Sequence, residues 1–180
     1  MCGGIALLNR VKDGMPTSDR VMLYHAFVEP HLDYCAPVWS AASEGVKETL
    51  RVTQRRALRA IVDYDRDRHA ADLFVQFNVQ TADERWRMWE AIWLYKILNP
   101  EKAGATPDYM KNLIQVKESV YNLRQSKRIE ANCKSALGDR LFSRRLRELF
   151  ERKVAADFWN SETLNSFKIR IRSCISSLLL

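Results

Sequence analysis

One bounded stretch near the middle of the chain limits the fold more than any other feature. Thr81 and Glu84 stand in S/T-x-x-E order, a capping box in which each side chain satisfies a backbone donor close to the other. Trp86, Trp89, Trp93 and Ile97 then follow at three- and four-residue intervals, and Asn99-Pro100 closes the segment. That spacing puts the four apolar side chains along one stripe of a helix with a defined start and stop. The stripe reads as core, because burying a tryptophan is worth a few kcal/mol. A base-stacking platform is the alternative use of such a row.

The same period recurs on both sides of this helix, whereas strand-like alternation is scarce. Val21 to Val28 follows the start signal Pro16-Thr17-Ser18, is apolar nearly all round, and is expected inside the fold, ending at Pro30. Asp33 to Trp39 contains Pro37 and predicts an irregular buried turn, with Tyr34 and Trp39 in the core. From Glu44 to about Asp63, Val46, Leu50, Thr53, Ala57, Ala60 and Ile61 share one face, and Arg51, Arg55 and Arg59 recur every fourth residue on the other. Residues 63–69 read as a solvated turn, Ala70 to Phe77 as a short helix, and Pro107 to Leu113 as another. Residues 117–136 have no clear period and support no assignment. Phe142, Leu146, Leu149, Phe150 and Val154 mark a further amphipathic helix, and Leu164, Phe167, Ile171, Ile175 and Leu178 mark the last. The expected fold is all-α, an irregular bundle of about five to seven helices. It divides into two lobes, 1–100 and 101–180, hinged near Gly104.

Charge adds a partner class and cysteine usage adds a compartment. The 180 residues carry 29 Lys and Arg against 22 Asp and Glu, a net charge of +7, which favours an anionic partner such as nucleic acid. Arg51, Arg55, Arg56 and Arg59 form the leading candidate for phosphate contact, since guanidinium groups fork onto phosphate oxygens. The competing reading is a solvated face partnered by Glu44 and Glu48. Arg144, Arg145 and Arg147 are expected to pair within their helix with Glu148 and Glu151. Lys168, Arg170 and Arg172 form a less compensated group that extends the same candidate surface. Cys2, Cys35, Cys133 and Cys174 are too scattered for a zinc knuckle or redox motif, and read as reduced, mostly buried thiols of an intracellular protein. His25, His31, Asp33 and Cys35 lack the four-ligand pattern of a zinc site. No metal, cofactor, membrane span or signal segment is expected, and no phosphate loop or hydrolase motif is present.

The segment Leu23-Tyr24-His25-Ala26-Phe27-Val28-Glu29-Pro30-His31-Leu32-Asp33-Tyr34-Cys35-Ala36-Pro37-Val38-Trp39 strongly resembles one found in non-LTR (LINE- or jockey-like) retrotransposon reverse transcriptases, downstream of the polymerase palm. Further signposts follow in the family's order. Leu50 through Ile61 looks like its basic helix, and Leu94 to Asn99 with Thr106-Pro107-Asp108-Tyr109-Met110 resembles the next landmarks. Trp159-Asn160 and Ser166-Phe167-Lys168 resemble the last, although Trp159-Asn160 runs into Ser161-Glu162-Thr163 where the family continues with Leu-Pro. The resemblance implies a thumb and post-thumb region whose basic helix tracks a template–primer backbone. It also implies no catalysis by this chain alone. The family's polymerase holds two divalent metals on a Tyr-x-Asp-Asp pair, and no two aspartates are adjacent in this sequence. The expected role is sequence-independent contact with RNA or an RNA–DNA hybrid. The alternatives are a helical protein-interaction module, docking through the stripe of the last helix, or the non-functional product of a truncated element.

Overall fold

A computed structural model describes residues 1–62, 69–104, 106–107, 115–118, 127–130, 142–151, 159 and 161–178. Helices build it, as the periodicity predicts. The elements are α1 (Cys2–Val11), α2 (Thr17–Phe27), α3 (Glu29–Asp33), α4 (Ala36–Ala41), α5 (Glu44–Ile61), α6 (Ala70–Gln76), α7 (Ala82–Leu98) and α8 (Pro100–Ala103). A short antiparallel ribbon, β1 (Gln115–Glu118) and β2 (Lys127–Glu130), precedes α9 (Phe142–Glu151) and α10 (Leu164–Leu178). Six of these helices have ten residues or more; the other four are one- or two-turn pieces at corners of the chain. The ribbon occupies part of the stretch that has no legible period, pairing Val116 with Ile129 and Lys117 with Arg128. The helix proposed for Pro107 to Leu113, the turn at 63–68 and the continuation to Val154 lie outside the described residues.

The chain forms two compact units, Met1–Trp86 and Arg87–Leu180, so the division falls within α7 and Gly104 belongs to the second unit. Gly104 keeps a local role, because its φ of +78° stops α8 in a conformation that side-chain-bearing residues avoid.

The first unit is built on Leu8, Tyr24, Val28, Ala57, Leu58, Ile61 and Leu73. Its opening helix, α1, is not anticipated from the sequence, where Ile5 to Leu8 is too short to show a period. Gly4 lets α1 approach the end of α2, since a Cβ there would meet the Phe27 carbonyl oxygen at 2.9 Å. Several expectations are corrected in this unit, beginning with the thiols of Cys2 and Cys35, which are exposed and not buried. The segment Val21–Val28 is not buried all round: Tyr24 and Val28 are inside, but Met22 and Phe27 are exposed. The turn after Asp33 is not buried either. Cys35 takes a left-handed conformation (φ 55°) that swings the chain from α3 into α4, leaving Tyr34 76% and Val38 63% exposed.

The buried face of α5 is also rotated from the expected one. Val46 is exposed, and the inward positions are Gln54, Ala57, Leu58, Ala60 and Ile61. Gln54 makes that face possible although it is polar. Its amide nitrogen donates to the Tyr24 hydroxyl and the Gln80 carbonyl, both at 2.9 Å, and its oxygen accepts the Ala82 N–H at 2.8 Å. Every strong polar position of the side chain but one lone pair is used, which removes most of the desolvation cost. The bond to Ala82 also satisfies a donor at the start of α7 that no helix carbonyl can reach.

The capping box forms as expected, with Thr81 N–H on Glu84 at 2.8 Å and Glu84 N–H on the Thr81 hydroxyl at 3.3 Å. The second unit packs Met88, Ala91, Ile92, Leu94 and Tyr95 of α7 against Leu146 and Leu149 of α9 and Phe167, Ile171 and Ile175 of α10. Trp86 is buried and Trp89 is packed against this core, whereas Trp93 lies partly open beneath the Lys96 ammonium, 4.8 Å from its ring. The tryptophan row is therefore taken up by packing, not displayed for stacking. Among the described residues no helix is long and apolar enough to cross a membrane.

Candidate nucleic-acid interface

The arginine row of α5 is embedded in carboxylates. Arg51 forks onto Asp83 of α7, with Nε 2.6 Å from one oxygen and Nη2 2.8 Å from the other. Its Nη1 also meets Glu44, and Glu48 at 3.4 Å. Asp83, ahead of every other group, holds the Arg51 guanidinium charged and raises its pKa. Arg55 lies 2.5 Å from Glu48, and this bond more than any other depresses the Glu48 carboxyl. Arg59 is half-buried, and its Nε is buried outright. Only Arg56 is fully exposed on this helix's basic side. The i, i+4 repeat Arg51–Arg55 thus meets a matching acid repeat, Glu44–Glu48, with Asp83 arriving from α7. The row is not an open line of guanidinium groups.

The second basic group behaves differently. In α10, Phe167, Ile171 and Ile175 face inward, placing Lys168 and Arg172 one turn apart on one flank and Arg170 on the other. Arg170 and Arg172 are exposed and Lys168 half-exposed. Arg170 bonds the Ser161 hydroxyl at 3.2 Å, whereas Lys168 and Arg172 have no ion pair among the described residues. The helix carrying them is firmly seated. Phe167 stacks on Tyr95 at 4.4 Å, the Tyr95 hydroxyl donates to the Ser161 carbonyl at 2.7 Å, and Thr163 caps the Ser166 N–H. Burial raises the Tyr95 pKa.

In α9 the pairing is only partly intrahelical. Arg144 reaches Glu148 at 3.8 Å, as expected, but Arg145 turns inward to Glu90 of α7 at 2.5 Å, with Glu90 wholly buried. Arg87 approaches the other Glu90 oxygen at 3.7 Å. These two arginines balance a charge inside the second unit, Arg145 from a buried position and Arg87 from a part-exposed one.

The segment Glu29 to Asp33 has a comparable structural use. Glu29 and Asp33, one turn apart in α3, both grip Arg85, which is 95% buried in the first turn of α7. The fork to Asp33 has Nε on Oδ1 at 2.8 Å, and Glu29 also accepts His25 Nδ1 at 2.8 Å. Asp33 is therefore committed to an arginine. Among the described residues no three His, Cys, Asp or Glu side chains form a group that could hold a metal.

Charge is divided unevenly between the two units. Met1–Trp86 holds 11 Lys and Arg against 12 Asp and Glu, a net −1, whereas Arg87–Leu180 holds 18 against 10, a net +8. The entire excess lies in the second unit. The signal was present in the sequence, since α10 has three cations and no carboxylate, but the unit boundary that gives it meaning was not. In comparison with known proteins, no family model, no curated sequence and no solved structure matches the chain.

Proposed function

We propose that this chain is a non-catalytic thumb and post-thumb piece of a non-LTR reverse-transcriptase-like polypeptide, which holds RNA or an RNA–DNA hybrid by its phosphate backbone. The observation that carries the binding role is the +8 charge concentrated in Arg87–Leu180. A polyanion binds such a unit by releasing its counterions, without base readout. The family reading rests on the resemblance carried by the sequence of residues 23–39. The chain has no adjacent aspartates on which to hold the two metals of a polymerase.

The test is binding of the purified chain to a labelled RNA–DNA hybrid from ~50 to ~200 mM salt, beside primer extension with Mg²⁺. Steeply salt-dependent binding without extension is the expected result. A flat salt dependence would refute the backbone grip, and extension would refute the non-catalytic reading.

One observation favours a protein partner as the second reading. Met22, Phe27, Tyr34, Val38 and Val46 are all exposed and all fall in residues 22–46 of the near-neutral first unit. The stripe of α10 does not support it, because Phe167, Ile171 and Ile175 are already covered.

A further inference from the structure

We infer that phosphate is gripped by α10 through Lys168 and Arg172, and that the arginine row of α5 is a structural lattice with no share in binding. This assignment rests on the proposed function and names its site. Both helices look basic in sequence; the difference lies in where the countercharge is. Arg51 already forks onto Asp83 and meets Glu44, and Arg55 is paired with Glu48. A phosphate approaching them would have to displace a bidentate carboxylate and would feel the field of three others, counting Glu84 beside Asp83.

On α10 the balance is reversed. Among the described helices only this one carries three cations and no carboxylate. Lys168 and Arg172 lie on one flank, about 6 Å apart along the axis, and are held there by a helix whose opposite face is fixed in the core. A phosphodiester backbone placed along that flank would meet two cations carried on a seated helix, so only their side chains, and not the backbone, would have to be ordered on binding. Contact of this kind is indifferent to sequence, because a lysine and a neighbouring arginine read charge and not base edges.

The experiment compares three full-length proteins on a labelled RNA–DNA hybrid across the same salt series: wild type, Lys168→Gln/Arg172→Gln, and Arg51→Gln/Arg55→Gln. Circular dichroism verifies folding, and Arg56→Gln supplies an α5 variant at an exposed position outside the carboxylate lattice. The expected result is that the α10 variant weakens binding and flattens the logarithmic salt slope by about two. Both α5 variants should leave the slope within about half of one. If the α10 variant keeps the wild-type slope, or an α5 variant loses it, the assignment is overturned while the proposed function stands. If the wild type does not bind at low salt, the proposed function fails and the assignment goes with it.

Discussion

Replacing Arg145 by alanine should damage the second unit more than any surface arginine substitution would. Glu90 has no exposed surface, and Arg145 is its nearest countercharge at 2.5 Å, with Arg87 farther off at 3.7 Å and itself part-exposed. Removing Arg145 takes its 2.5 Å partner from a carboxylate that is wholly buried. Breaking a buried pair in this way costs about 3–5 kcal/mol, whereas an exposed pair is worth about 0–1 kcal/mol. With a urea dependence of about 2 kcal/mol/M, the unfolding midpoint should fall by about 1.5–2.5 M. Tryptophan fluorescence is the suitable readout, since Trp89 and Trp159 belong to this core. The double variant Glu90→Leu/Arg145→Met removes both charges and should recover most of the loss, because matched apolar replacements of buried pairs are neutral or stabilising. A midpoint shift in Arg145→Ala worth less than about 1 kcal/mol would refute the reasoning, since the pair would then behave as a solvated one.

Other outcomes follow from the first unit. Arg85→Lys keeps the charge but loses the fork on Asp33 and the bond to Glu29, and should cost about 1.5–3 kcal/mol in chemical denaturation. Gln54→Leu strands the Tyr24 hydroxyl, the Gln80 carbonyl and the Ala82 N–H, and should cost about 2–4 kcal/mol, with Gln54→Glu failing to restore it because a carboxylate cannot donate to Gln80. The Tyr24 phenol is pushed up to about 12, chiefly by burial, from its ordinary 10. The unfolded chain therefore releases this proton first, so the stability linked to it is whole below pH 10 and is lost as pH rises from 10 towards 12. Alkaline denaturation of Tyr24→Phe should lack that component, and an unchanged profile would count against the buried phenol. Gly4→Ala should destabilise the α1–α2 crossing in a thermal melt, because the new methyl meets backbone at 2.9 Å and backbone cannot step aside.

The helical class was legible because it depends on local order. The box at Thr81 and Glu84, the stop at Asn99-Pro100 and the stripes of α7 and α10 each lie within a few turns of one another, so period and capping chemistry suffice to find them. The errors share a cause as well. In Val21–Val28 apolar character alone cannot tell which side is covered, and only the packing of α1 and α5 selects Tyr24 and Val28 over Met22 and Phe27. Helix α1 is not legible in the sequence because ten residues with two glycines show little period until Leu8 and Ile5 find a neighbour. The ribbon leaves no sequence signal because four-residue strands give too few alternations, and their pairing joins residues about a dozen apart.

For the candidate site, residue order alone fixes how much charge there is and which helices carry it. The +7 excess, the arginine repeat of α5 and the carboxylate-free α10 are all plain in the residue order. Which of those cations are spoken for depends on the folded packing. Asp83 is 32 residues from Arg51, Glu90 is 55 from Arg145, and Asp33 is 52 from Arg85. Coulombic attraction falls with distance in space and is indifferent to distance along the chain, so a guanidinium that looks free in a sequence is free or neutralised according to what the fold brings beside it.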